Sequence, residues 1–539
     1  MARTTTLTIT PEMQRLKDEI LAIDERLPRY PMQVMYLLMF AATIEAFDRS
    51  LVGIVLEDIR REFNATDGQL GFLTGAFGFM AALGVIPLGI LTDRVKRVRI
   101  IAWGFLPWGI AMILQGLAPT FALFFLARML NGALEATGGQ EAPAPVSLVG
   151  DYYPVEDRTR IYGVQGMGQI LGYAAGPIFG GITANIFGWR GSFVFWGIFG
   201  LGTGLVLYAL LPEPPRALQD AKYRLQTRYM QLRLAQRRAD FGEDSVGQTA
   251  AERQMLAAHD NQEDPEAIAA RAAALAGIDP SELNKFDYRN ITASDATKAV
   301  LRIKTFWLIN VLVVFQVFGT AGVATWMPTF FRRYHGMSVT GAAVVSAFNA
   351  TTALVGVYGG ARIGAVLVKA GKPHLRFVLV SIGYLGVGVL WGTCILTNFT
   401  PYSIHFFFYG SICITTPIGI LLAVRADIIH PHLRGRAASV ASPPRIVATL
   451  VAPIFFGLLS DSIGLRSALL TLVPLYFIMT GLALFGLKFY DHDAAVMQAE
   501  SVRQHTLEQA ERRAGGGEID EAERIAAEFL AKTDNDSTD

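Results

Sequence analysis

Glu45, Asp48 and Arg49 stand at i, i+3 and i+4 in an otherwise apolar stretch, so on a helix they cluster on one side. Arg128 and Glu135, seven residues apart in another apolar stretch, share a face and lie about 10 Å apart along the axis. In hydrocarbon each such charge costs about 2.5–3.5 kcal/mol on insertion scales unless it is paired or meets water. Counted inward from the outer surface, Asp48 and Arg128 fall at similar depth, with Glu45 and Glu135 deeper. The chemistry this permits is a proton relay through Asp48, Glu135 and Glu45. A carboxylate beside an arginine stays ionised, and one that loses its partner in drier surroundings binds a proton. The competing reading is a static ion-pair network that locks the two helices. Arg49 and Arg128 are also two cations able to hold a phosphate or carboxylate. Glu141, among Gly138, Gly139, Pro143 and Pro145, falls near the cytoplasmic mouth.

These charges sit on elements long enough to cross a bilayer. Of 539 residues, 52% are hydrophobic and 17% charged, below the roughly 25% charge of a soluble domain. Runs such as Ile100 to Leu117, Phe193 to Leu211 and Leu469 to Leu487 approach the roughly 20 residues that span about 30 Å of hydrocarbon. Expected spans are 32–57, 68–91, 99–117, 121–149, 161–187, 192–211, 305–328, 340–367, 376–397, 402–424, 437–460 and 467–489. The domains follow: a cytoplasmic helix at 1–31, a six-helix bundle at 32–211, a cytoplasmic linker with helices at 212–303, a second bundle at 304–490, and a tail at 491–539. Segment 1–31 is polar and lacks the apolar core of a cleaved leader, so it reads as a retained helix. The linker opens with Pro212, Pro214 and Pro215, turns helical and charged, and reads as a brace between the bundles. Twelve Lys and Arg residues in short loops on one side, against six on the other, place both termini in the cytoplasm of an inner (plasma) membrane protein.

The composition also excludes. A net charge of +1 with no basic, aromatic-interleaved patch gives no reason to expect nucleic acid. Cys394 and Cys413 lie inside apolar runs and offer neither disulfide framework nor zinc spacing, so they read as small packing residues; a transporter rather than an enzyme, with no metal or cofactor, is expected.

The two halves repeat one another. Pro177 and Pro453, Gly188 and Gly464, Arg190 and Arg466, Arg158 and Arg434, and Arg160 and Arg436 are each separated by 276 residues. Span five thus corresponds to span eleven, as in a parallel duplication about an axis along the membrane normal.

Between spans two and three stands Gly89-Ile90-Leu91-Thr92-Asp93-Arg94-Val95-Lys96-Arg97. Its glycine allows close helix approach, and its carboxylate can pair with cations or face a helix N-terminus when the halves close on that side. Span five carries Gly172-Tyr173-Ala174-Ala175-Gly176-Pro177-Ile178-Phe179-Gly180-Gly181. The loop between spans two and three resembles the signature loop of the major facilitator superfamily, with Lys96 where the family has a glycine. The span-five stretch is similar to that family's glycine–proline antiporter motif. The resemblance implies an all-α membrane protein of twelve transmembrane helices in two pseudo-symmetric bundles, with a central cavity and rocker-type alternating access. Gly89, Asp93, Arg94, Arg97, Gly176 and Pro177 are its gating candidates.

Within the superfamily, Asp48-Arg49, Arg128-x3-Gly132-x2-Glu135-Ala136 and Gly150-Asp151-Tyr152-Tyr153-Pro154, followed by Arg158, resemble the spinster-type lipid transporters. The resemblance implies substrate and proton-coupling roles for Asp48, Arg128 and Glu135. Organic-anion and -cation symporters share the Asp-Arg and Arg-Gly-Glu-Ala features. The second half is less polar: Arg362 and Arg445 stand out, Gly364 occupies the place of Asp93, and Phe315, Phe318, Phe406, Phe407 and Phe408 offer an apolar wall. Arg445, next to Pro444, is a head-group candidate or a structural pair. The expectation is a monomeric, proton-coupled carrier of an amphipathic, lipid-like molecule; the alternatives are a symporter of small organic anions and a membrane receptor or scaffold.

Overall fold

The structure, a computed structural model, describes residues 10–26, 31–135, 142–153, 155–214, 291–430 and 433–514, with scattered positions between 222 and 283. A helix at Pro11–Arg26 (α1) leads to Pro31–Phe63 (α2), Asp67–Arg94 (α3), Arg97–Leu117 (α4), Phe121–Leu134 (α5), Pro143–Tyr152 (α6) and Val155–Leu210 (α7). After the linker come Ala293–Arg302 (α8), Lys304–Tyr334 (α9), Val339–Lys369 (α10), Arg376–Leu396 (α11), Thr400–Asp427 (α12), Arg434–Ile463 (α13), Leu465–Leu470 (α14), Leu472–Leu484 (α15) and Gly486–Ala514 (α16). No strand occurs among the described residues.

Nine described helical stretches are long and apolar enough to cross a membrane by length and composition. One of them, Val164–Leu210, turns back at Gly188 (φ 70°) and so supplies two crossings. With α2, whose charges break its apolar run, and with α5 continued by α6, the elements accommodate the twelve crossings expected. The outward faces are apolar: Ile186, Leu205 and Ile478 are 65%, 63% and 66% exposed, as a lipid-facing surface requires and a soluble one avoids.

The expected span 121–149 is described in two pieces, with residues 136–141 outside the described residues. α5 stops at Leu134, with Glu135 as its C-cap. The next described helix begins with Pro143 at its first turn, where a missing N–H costs nothing. Glu135 therefore stands at the end of α5. Glu141 lies outside the described residues, as do most of the linker and positions 515–539.

Within the first half α7 packs on α2 and α4, and α3 on α5; within the second α12 packs on α10 and α11, and α9 on α13. The halves meet through α3 against α13 and α7 against α10. These two seams are copies of each other. A Cβ on Gly181 would meet Ala343 across one seam, and a Cβ on Gly457 would meet the Asp67 carbonyl across the other. Gly181 and Gly457 are 276 residues apart, as are Asp67 and Ala343. The same offset joins Gly188 and Gly464, whose φ values of 70° and 81° turn the chain between successive crossings in a region that favours glycine. Extended along α10, this register places Lys369, not Gly364, opposite Asp93, so the second half still has no carboxylate there.

The glycines of span five have a local cause. Gly168, Gly172 and Gly176 recur every fourth residue and lie directly against the backbone of α2 at Met39, Thr43 and Phe47. Any side chain would push away the helix that carries Asp48 and Arg49.

At the end of the bundle nearest the termini, Leu16 and Ile23 of α1 pack with Leu225 of the linker, and Arg228 pairs with Glu12 at 2.7 Å. α16 is strapped to the second half by the Asp493 carboxylate, which accepts from the Thr305 N–H at 2.7 Å. Tyr490 donates to Asp427 at 3.0 Å beside it. We call this end proximal and the opposite end distal.

Candidate functional site

The charges of α2 and α5 meet in two unlike pairs. Arg128 donates through one nitrogen to both oxygens of Asp48 at 2.9 Å, and its guanidinium lies 3.8 Å over the Phe77 ring. Arg49 donates to Glu135 at 2.6 Å and to the Tyr173 hydroxyl at 3.4 Å, and stands 3.5 Å from Glu45. Side-chain exposure separates the pairs: 0% for Asp48 and 2% for Arg128, but 35% for Arg49 against 1% for Glu135. The first pair is closed in on every side, whereas the second has one partner that reaches open space. Glu135 keeps one buried oxygen without a partner, and both amide atoms of Asn131, one turn from Arg128 and from Glu135, are buried without one. A cation that can leave, beside a carboxylate with spare acceptor capacity, is the arrangement a proton exchange needs. Tyr173, Phe77 and Asn131 carry no charge that would single them out in the sequence. Asn131 was findable, since it sits between Arg128 and Glu135 on one helical face.

At the distal end an ionic seam joins the halves. Arg332 binds Asp58 at 2.8 and 3.0 Å, and Arg333 binds Glu57 at 2.8 Å and Asp67 at 2.6 Å. Ser460 donates to Asp67 at 2.7 Å, and Asp461 accepts the N–H groups of Asp67 and Gly68 at 2.9 and 2.8 Å, capping α3 from the opposite half. The repeat explains the match: an offset of 276 carries Glu57 onto Arg333, so opposite charges at equivalent positions meet across the pseudo-twofold. Arg332 and Arg333 are two of the six loop cations that the sequence places on the sparser side, a reading that hid this role. Arg333→Gln removes the cation that Glu57 and Asp67 receive from the opposite half and leaves them only Arg60 and Arg61 of their own, a loss of roughly 1–2 kcal/mol for a partly exposed network. The distal-open population should therefore rise about tenfold; thiol labelling of a cysteine placed at Thr329 measures it, and unchanged labelling refutes the role.

The gating candidates of the proximal loop lie within the first half. Arg97 is fully buried and binds Asp151, Ser147 and Glu213, the last at 2.9 Å, which fastens the loop to α6 and to the chain leaving α7. Arg94 is exposed, Gly89 lies in the last turns of α3, and the side chain of Asp93 lies outside the described residues. Gly176 lies at the tight contact of α7 with α2, and Pro177 follows it inside α7. In the second half Phe407 is not free to line a cavity, because it is 4% exposed and packs on Phe331 and Trp391. Phe318 packs its ring at a tilt against Phe455 and Phe456, while Phe315 is exposed. Arg362 lies over Tyr358, and Arg445 donates to Ser442 at 3.2 Å. No metal-ligand cluster occurs among the described residues.

A family model described as Major Facilitator Superfamily matches residues 38–442. The probable L-galactonate transporter of Escherichia coli (strain K12) is 27% identical over 193 residues, 36% of this chain and 42% of that protein. The sphingosine-1-phosphate transporter SPNS2 of Danio rerio is 29% identical over 197 residues, 36% of this chain and 38% of that one. The chain thus matches less than half the length of these relatives. A crystal structure of a bacterial homolog of the human lysosomal transporter Spinster, inward-facing and unoccupied, superposes with a TM-score of 0.62 at 21% identity, covering 88% of this chain and 98% of that one. At that identity the likeness is one of fold.

Proposed function

The chain belongs to the Major Facilitator Superfamily, and we propose that this multi-pass membrane transporter is a proton-coupled carrier of an amphipathic, lipid-like molecule. It works by alternating access in the inner (plasma) membrane, with the termini and the proximal end cytoplasmic and the distal ionic seam closing the outer side.

One observation carries the coupling: Arg49 is the exposed partner of a buried carboxylate, Glu135. When an anionic head draws Arg49 towards the cavity, Glu135 is left in apolar surroundings and takes up a proton. Release of the cargo returns Arg49 and expels the proton. Asp48 and Arg128 hold α2 and α5 in register for this exchange, and Glu45 offers Arg49 a second resting place at 3.5 Å.

The amphipathic character rests on the unequal halves: the ion pairs Asp48–Arg128 and Arg49–Glu135 lie in spans of the first, and the spans of the second are less polar. One relative's named cargo is a lipid phosphate and another's a sugar acid, and both are anions. The sugar-acid relative favours a second reading, a symporter of small organic anions. Chain length separates the two. At a fixed head group, affinity should rise by about 0.8 kcal/mol per buried methylene, roughly fourfold each. Competition binding with alkyl phosphates of increasing length checks this. A series flat in length, with preference for short sugar acids, hands the case to the second reading.

A further inference from the structure

Among the described residues two side-chain amides are buried with neither end hydrogen-bonded, Asn131 and Gln165. Gln165 has Ile161, Tyr162, Gly168 and Gln169 one turn away, none of them charged. Asn131 differs. Arg128 stands three residues before it and Glu135 four after, 2% and 1% exposed. Helical geometry holds through the C-cap Glu135 (φ −58°, ψ −32°), so the three side chains follow one another along one face of α5. Across that face α2 supplies Asp48 to Arg128 at 2.9 Å and Arg49 to Glu135 at 2.6 Å. On the α3 side, a Cβ on Gly132 would come within 2.7 Å of the Phe77 carbonyl. Asn131 is thus enclosed between the two ion pairs. Its neighbours on either side carry unpartnered buried atoms of their own, Nε of Arg128 and Oε2 of Glu135.

Arg128 cannot turn to Asn131 without giving up both oxygens of Asp48 and the face of Phe77. Glu135 can. Arg49, whose side chain is 35% exposed, holds only its Oε1. An ionised carboxylate has no proton to offer the oxygen of an amide, whereas a protonated one has. We propose that Asn131 is the positioning residue for the coupled proton: once Arg49 leaves, protonated Glu135 donates to Oδ1 of Asn131, one turn away. This rests on the coupling reading above and names the group that holds Glu135 in its second state. The proton comes from water on the side to which Arg49 opens, binds Oε2, and returns to water when Arg49 comes back. Glu135 alternates between a cation and an amide, so neither state leaves the buried carboxyl without a partner. The other charges around it are the paired Asp48 and Arg128, and Glu45 beside Arg49, to which α7 presents the Tyr173 hydroxyl. α3 and α4, which also pack on α5, carry charged residues only in their terminal turns: Asp67, Asp93, Arg94, Arg97 and Arg99.

Infrared difference spectra of the full chain in phosphatidylcholine nanodiscs, taken through a pH titration without cargo, test this. The carboxylic C=O band that Glu135→Gln removes reports protonated Glu135. In Asn131→Leu that band should need roughly tenfold more protons to appear, the effect of losing one hydrogen bond to the neutral form. It should also lie at the higher frequency of a carboxyl that donates to nothing. Asn131→Ser, which keeps a donor and an acceptor, should recover part of both changes. Asn131→Ala takes the place of Asn131→Leu should the latter not elute as a monodisperse peak. A Glu135 band that keeps its midpoint and frequency in these variants, or that appears with fewer protons, overturns the proposal and leaves the coupling reading standing. The absence of any Glu135-dependent band while the protein stays folded overturns the coupling reading and the inference with it.

Discussion

Glu135→Gln will slow pH-gradient-driven transport by about two orders of magnitude or more, while substrate exchange across a symmetric membrane persists. Glutamine keeps the shape and one acceptor oxygen for Arg49, which now sits 2.6 Å from the carboxylate, but it cannot bind or release a proton. The ion pair also weakens to a neutral–cation hydrogen bond, so Arg49 is freed more readily and cargo affinity should not fall. Loss of the driven component with retained exchange therefore separates coupling from folding and binding. Comparable losses in both modes would show that Glu135 is structural.

Arg128→Ala should be the most destabilising single change in the bundle. It leaves Asp48, fully buried, without a counter-ion, at a cost of about 3–5 kcal/mol for breaking a buried pair. The Phe77 ring also loses the cation stacked on it. Because the penalty belongs to the uncompensated charge, Asp48→Ala in the same chain should recover most of the loss. Thermal unfolding in detergent, followed by monodispersity on a sizing column, reads both variants. Equal instability of single and double variants would mean that packing, not charge, is what Arg128 supplies.

The sequence exposed the cluster of Glu45, Asp48, Arg49, Arg128 and Glu135 because charges stand out in lipid-grade stretches, and helical spacing places them on shared faces. The duplication was legible for the same kind of reason: a constant offset survives divergence, and in the structure it reappears as paired left-handed glycines and paired seams. Three things were not legible. Which arginine is closed in and which is exposed depends on Phe77 and Tyr173, which come from other helices and pass for ordinary apolar positions. The end of α5 at Leu134 precedes Gly138, Gly139 and Pro143, and an expected span drawn from 121 to 149 runs past it. The distal seam was hidden because Arg332 and Arg333 pass for loop cations until the offset is applied to Glu57, two turns into the end of the first crossing.

The central claim, that Glu135 carries a proton in exchange for its contact with Arg49, is tested most directly by proton flux during transport. Proteoliposomes holding a pH-sensitive dye, with no imposed gradient, receive a short-chain alkyl phosphate bound by the wild type. Wild-type vesicles should show an internal pH change that begins with cargo movement and scales with it, and Glu135→Gln vesicles should move cargo by exchange with no pH change. Cargo movement in wild type without any pH change, or an undiminished pH change in Glu135→Gln, would contradict the mechanism.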